Sequence, residues 1–199
     1  MEIICHRGWW NEKEEQNSIK AFERAFDEGL GVEIDLRMES GDLVVSHDPW
    51  TLGSPYLSFF KVLELWKSYS HPLLAINIKC DGMAPELTKA MGEDFRDRWF
   101  TFDMSIPEMR KFTGCSLPVA SRISEFEDAD PNHTLHWVDC FDSDWWVHTE
   151  SWRRDDDRHV VVSSELHGRS YVELWEATKS QGLFGICTDH PDEARDFFR

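Results

Sequence analysis

The chain has 199 residues, 41% hydrophobic and 30% charged, a balance that excludes a disordered chain and suits one globular domain, or at most a tight pair. With 21 Lys+Arg against 38 Asp+Glu the formal charge is −17, a field that repels nucleic acid and anionic headgroups, so nucleic acid is not an expected partner and the plainest role of the charge is solubility. No apolar run approaches the roughly 18 residues that would mark a transmembrane segment. The leading Met1–His6 has neither a basic region nor an apolar core and reads as a strand, not an export signal. Five scattered cysteines without a CxxC pair suit reduced thiols and a cytoplasmic setting.

Along the chain, short β-branched runs alternate with helical patterns. A strand over 2–5 is followed by a helix over 17–28, with Asn17 as its N-cap, Ile19, Phe22, Ala25 and Phe26 on one face, and Gly29 near its end. A strand over 32–36 leads into 37–48, where the Gly41-Asp42 turn signal before Leu43-Val44-Val45 predicts a small hairpin after strand two. Then come a helix over 59–67, a strand over 73–78, a helix over 85–94, a strand over 99–102 and a helix over 106–112. A strand over 117–120 is followed by a weaker helical pattern over 121–129 and a strand over 135–138. Residues 142–157, rich in Trp and charge, have no clear period. The chain closes with a strand over 159–162, a helix over 171–180, a strand over 184–187 and a helix over 191–198. This alternation implies an α/β fold with a mainly parallel sheet. Eight strands suggest one TIM-type (β/α)8 barrel domain over 1–199, at the lower size limit of about 200 residues for that fold. A doubly wound open sheet is the alternative.

In a barrel, chemistry sits at the C-terminal ends of strands. Here those ends carry His6-Arg7-Gly8, Glu33 and Asp35, His47-Asp48 at the end of the hairpin, and Asn77-Ile78-Lys79. Glu33 and Asp35, two apart, share one face of a strand, where paired carboxylates repel unless a cation joins them. Hard oxygen ligands suit Mg²⁺ or Ca²⁺. An exposed polar face would look the same in sequence. His6 and His47 suit a general acid and base at a phosphorus centre. Arg7 and Lys79 suit phosphate oxygens and developing charge.

The ordered set His-Arg-Gly, Glu-x-Asp, His-Asp resembles the glycerophosphodiester phosphodiesterase family. The resemblance is strong over residues 1–50, weaker over 73–82, and returns at Gly185-Ile186-Cys187-Thr188-Asp189-His190-Pro191. It implies a TIM-type barrel and one divalent cation, Mg²⁺ or Ca²⁺, on Glu33 and Asp35. It also implies acid–base catalysis by His6 and His47, with Arg7 on the phosphate. A neighbouring substrate hydroxyl often attacks first in such enzymes, giving a cyclic phosphate. Where the family places Glu in a Glu-x-Lys motif, this chain has Asn77 and Lys79. Asn77 is thus the expected third ligand, with Asp81 as a further carboxylate.

The subdomain usual after the His-Asp motif is missing, since a connection of ordinary length separates it from the next helix. An open site follows, suited to a glycerophosphodiester or a bulkier lipid or glycan phosphodiester. Of the ten Trp residues, Trp9, Trp10 and Trp50 adjoin the motifs. Trp9, Trp50 and Trp137 are the candidates to touch substrate, against the plain alternative of core packing. Asp139, Asp142, Glu165 and His167 also follow strands and read as solvated loop residues. A cyclising lyase and a barrel that binds phosphoryl ligands without turnover are the competing readings.

Overall fold

The computed structural model describes residues 1–49, 51, 56–93, 95–149 and 151–199. Its strands are β1 (Glu2–Cys5), β2 (Gly31–Glu39), β3 (Asp42–Val45), β4 (Leu57–Ser58), β5 (Leu74–Ile78), β6 (Trp99–Phe102), β7 (Ser121–Ile123), β8 (Leu135–Val138), β9 (Arg158–Val162) and β10 (Gly185–Thr188). Its helices are α1 (Ile19–Asp27), α2 (Phe59–Ser68), α3 (Ala84–Met91), α4 (Ile106–Gly114), α5 (Val172–Gln181) and α6 (Pro191–Phe198). The chain folds as two compact units, one of 6–119 and one of 1–5 with 120–199.

In the unit of 6–119, β2, β5 and β6 run parallel, with Asp35 opposite Asn77 and Asn77 opposite Phe102. Strand β2 is buried from Gly31 to Leu36, as a parallel strand covered on both faces must be. Beyond Leu36 it runs on and reverses through Ser40 (φ 53°) and Gly41 (φ 92°) into antiparallel β3. Two positive φ values in a two-residue turn match the right-handed twist of the paired strands. Helix α1 buries Ala21, Phe22, Ala25 and Phe26. Its cap is Ser18, whose Oγ accepts from the Ala21 amide at 3.2 Å, and not Asn17 as expected. Asn17 is drawn away because its side chain is engaged with Asp35.

The unit of 1–5 and 120–199 carries an all-parallel run in the order β1-β10-β9-β8-β7. Val160, Val161, Ile186 and Cys187 are fully buried there, and α6 packs on β1. Two expectations fail in the middle of the chain. Residues 117–120 form no strand, only a single bridge of Val119 to Thr101. Pro118 has no N–H to give, and its carbonyl takes the Thr101 amide instead. The strand comes just after, as β7, in the stretch read as weakly helical. Ser121 and Ile123 are buried while Arg122 is half-exposed, so the period there is two, not 3.6. Residues 142–157 hold no helix or strand among the described residues, and Trp146 and Trp152 pack there beside His159. A buried chain runs from Ser121 Oγ to His136 Nδ1 at 2.8 Å and from His136 Nε2 to Asp157 at 3.0 Å, and it satisfies both ring nitrogens.

Gly8 holds the chain close to α1. At φ 87°, a Cβ there would lie 2.8 Å from Ala21 Cβ and 2.9 Å from Phe22 Cδ1. Gly8→Ala is expected to destabilise the fold by about 2 kcal/mol or more, from overpacking and a left-handed backbone together. A urea midpoint equal to wild type would contradict this.

Candidate active site

Glu33 and Asp35 leave no doubt about their face. They are 1% and 0% exposed, so the pair is interior and not a solvated edge. Asp35 is the more heavily partnered. Arg7 Nε pairs with its Oδ2 at 3.0 Å and Lys79 Nζ with its Oδ1 at 3.2 Å. Asn17 Nδ2 donates to Oδ2 at 2.8 Å, and Asn17 Oδ1 accepts from the Asp35 amide at 3.3 Å. Arg7 turns back through φ 57°, so that its amide donates to Glu33 Oε2 at 3.1 Å while its carbonyl accepts from Asn17. Lys79 also lies 3.9 Å from Asp103, which follows β6 at φ 65°.

These contacts push the two carboxyls apart in acidity. Burial and the nearby Asp35 raise Glu33 to about 7, against the pull of His6, Lys79 and Arg7. Burial would raise Asp35 too, but Lys79, Arg7 and the Asn17 bond outweigh it and hold Asp35 below the usual carboxylate range. Two carboxylates and two cations leave this cluster near neutral, within a chain of charge −17.

His47 lies just past β3, where the Ser46 amide donates to the Asp35 carbonyl at 2.9 Å. Its Nδ1 bonds Asp48 Oδ1 at 2.8 Å. A carboxylate there favours the Nδ1–H form, which leaves the Nε2 lone pair available. A cleft of about 630 Å³ opens here, lined by Arg7, Asn17, Ser46, His47 and Tyr56 among others. His6 follows β1, and its carbonyl accepts from Trp10 Nε1 at 3.1 Å.

Hard oxygen donors are present for a divalent cation. Asn77 Oδ1 is buried without a hydrogen-bond partner among the described residues, opposite Asp35 across β2 and β5. Glu33, raised by burial beside a second carboxylate, is the kind of group that a cation returns to its ionised form. Glu33, Asp35 and Asn77 therefore fit such an ion. Among the described residues no three His, Cys, Asp or Glu side chains form a ligand group. Asp81 is exposed and takes long bonds of 3.4 Å from Ser105 Oγ.

Trp9 is half-buried and bonded through its amide to the Ala21 carbonyl. Trp137 is 4% exposed, inside β8. Trp50 lies outside the described residues. In the other unit, Asp139 bonds His167 at 3.0 Å, Asp142 is exposed, and Glu165 takes the Thr188 hydroxyl and the Asp189 amide. Three residues joined to the cluster went unread in the sequence. Asn17 was masked by its position before a helix. Asp103 stands at a strand end, the signal that marked the others. Arg37 had no local signal for its role.

Against known structures, the chain has the α/β fold of a glycerophosphodiester phosphodiesterase from Parabacteroides distasonis, with TM-score 0.76 at 19% identity over 99% of this chain and 96% of that one. A glycerophosphodiester phosphodiesterase from Agrobacterium tumefaciens gives 0.72 at 16% identity, over 98% and 99%. A Ca²⁺-dependent phosphatidylinositol-specific phospholipase C from Streptomyces antibioticus gives 0.61 at 10%, over 100% and 96%. No protein-family model and no curated protein matches the sequence. Among the described residues no helix is long and apolar enough to cross a membrane.

The raised acidity constant of Glu33 has a signed consequence. Its carboxyl titrates near 7 in the fold and near 4.3 in the unfolded chain, so the fold binds the proton more tightly. That contribution is present at low pH and lost as pH rises through 7. In EDTA, Glu33→Gln is expected to stay near wild-type stability at pH 5 and to exceed it at pH 8 by on the order of 2 kcal/mol in urea unfolding. Equal stability at pH 8 would show that burial leaves Glu33 unstressed.

Proposed function

We propose that this chain is a divalent-cation-dependent phosphodiesterase whose sheet closes into a single (β/α)8 barrel, and that it cleaves a glycerophosphodiester or a bulkier lipid or glycan phosphodiester. The observation that carries this reading is the cluster on Asp35, which brings Arg7 and Lys79 together on one buried carboxylate, with Arg7 and Asn17 also lining the cleft where His47 lies. The structural likeness to glycerophosphodiester phosphodiesterases supports it.

In this reading Arg7 and Lys79 hold the nonbridging phosphate oxygens and offset the charge that grows as phosphorus becomes five-coordinate. Both are already aimed at one point by Asp35. His47 Nε2 takes the proton from the attacking hydroxyl, and Asp48 on Nδ1 steadies the cation that forms. His6 returns a proton to the leaving alkoxide oxygen. Glu33, Asp35 and Asn77 would hold the cation, whose chemistry when bound is neutralisation of the phosphate. The likeness to a phospholipase C favours a second outcome, in which a hydroxyl of the substrate itself attacks and a cyclic phosphate leaves.

The test is turnover of bis(p-nitrophenyl) phosphate and glycerophosphocholine with Mg²⁺, Ca²⁺ or EDTA, followed by ³¹P NMR of the products. Turnover is expected only with a cation, and His47→Ala should lower it by about 10²- to 10⁴-fold. Activity indifferent to EDTA and to His47→Ala would refute the reading. A cyclic phosphorus resonance would select the lyase outcome. In calorimetric titration with Mg²⁺ or Ca²⁺, Asn77→Asp is expected to tighten binding about tenfold or more, since it adds a charged ligand. Unchanged affinity would remove Asn77 from the site.

A further inference from the structure

We propose that Arg37 is a positioning residue that fixes the separation of His47 from Lys79. This inference rests on the phosphodiesterase reading for its kinetic consequence, but its structural part stands alone.

Residues 33, 35 and 37 alternate onto one face of β2, so Arg37 is the next inward-facing position after Glu33 and Asp35. Its guanidinium Nε and Nη2 donate to the His47 carbonyl at 3.0 and 2.8 Å. From the other edge of the same plane, Nη1 donates to the Lys79 carbonyl at 3.2 Å. One rigid fork thus grips the main chain of two residues far apart in sequence, each carrying a group assigned to the reaction.

Those two segments need holding. Strand β3 ends at Val45 and β5 at Ile78, so His47 and Lys79 both lie beyond the named strands. The last main-chain bonds that tie them to β2 are Ser46 N–H to the Asp35 carbonyl and Lys79 N–H to the Leu36 carbonyl, both 2.9 Å. The His47 carbonyl lies past the first of these bonds, and that is the group Arg37 takes. A misplacement of about 1 Å in a reacting group can lower a rate about 100-fold, so a rigid bridge here bears on the rate and not only on the fold.

The same contacts argue against Arg37 as a phosphate ligand. Three of its five N–H donors are spent on main-chain carbonyls. Arg7 and Lys79 differ, since they meet a carboxylate that a substrate and cation can rearrange. Lysine cannot replace the fork, because one ammonium does not reach two carbonyls on opposite edges of a plane.

The experiment compares wild type, Arg37→Lys and Arg37→Ala. Steady-state kinetics on bis(p-nitrophenyl) phosphate with Mg²⁺ are run beside thermal unfolding, and ¹⁵N relaxation is measured at residues 46–48 and 79–81. Both variants are expected to lose about 10- to 100-fold in kcat with little change in KM. Added N-ethylguanidine should restore part of the loss in Arg37→Ala and leave wild type unaffected. Backbone order at 46–48 and 79–81 should fall in both variants. Wild-type kcat in a folded variant would overturn the proposal, as would a change confined to KM, which would make Arg37 a substrate contact. Unchanged order at both segments would overturn it whatever the kinetics. If wild type itself turns over no substrate, the phosphodiesterase reading fails, while the relaxation data still decide whether Arg37 clamps the two segments.

Discussion

The site is organised around a single fully buried carboxylate. Asp35, 0% exposed, would be untenable as a lone charge in the core. It is tenable because a guanidinium, an ammonium and an amide converge on it. Each partner comes from a different segment, Arg7 from the turn after β1, Asn17 from the approach to α1, and Lys79 from the end of β5. Satisfying one charge therefore positions three loops. Removing any partner would leave the rest with an imbalance in a low-dielectric interior, where such errors weigh most.

The near-neutral cluster also reconciles two demands on charge. The chain carries −17 overall, which discourages the approach of any anion. Arg7 and Lys79 are nonetheless held within the site, where Asp35 keeps them from dispersing to the many surface carboxylates. On the function proposed above, a phosphate entering there would exchange one anionic partner for another, and the cations would need no large reorganisation. This is the sense in which the site is prepared before any ligand arrives.

Much of this was legible in the sequence where local patterns decide the outcome. The Val-Glu-Ile-Asp-Leu alternation of β2 and the helical face of α1 are properties of neighbouring residues, whereas the turn expected at Gly41-Asp42 falls one residue earlier, at Ser40-Gly41. What was not legible depends on bonds across long separations. Asn17 has the right chemistry and place for a cap, and only the presence of Asp35 beside it sends the side chain elsewhere. Pro118 displaced the fifth strand pattern because it has no N–H to give to the ladder, and only its carbonyl meets Thr101. Arg37 had no local pattern to mark it. Its role exists only because two strand ends converge on it. The pairing of Glu33 with Asp35 was readable, but whether they faced water or the interior was not, since that depends on what covers β2.

Arg7, Asn17 and Asp103 all adopt left-handed backbone angles, at φ 57°, 55° and 65°. Asn and Asp tolerate this region comparatively well, whereas Arg has no such excuse. A protein engineer seeking heat resistance would be drawn to glycine at these positions, since it relieves the backbone at once. Each such exchange would delete a member of the Asp35 cluster or its neighbour. At Arg7 and Asn17 the backbone relief would be set against an under-partnered buried carboxylate, so these turns hold their strain through the same bonds that build the cluster.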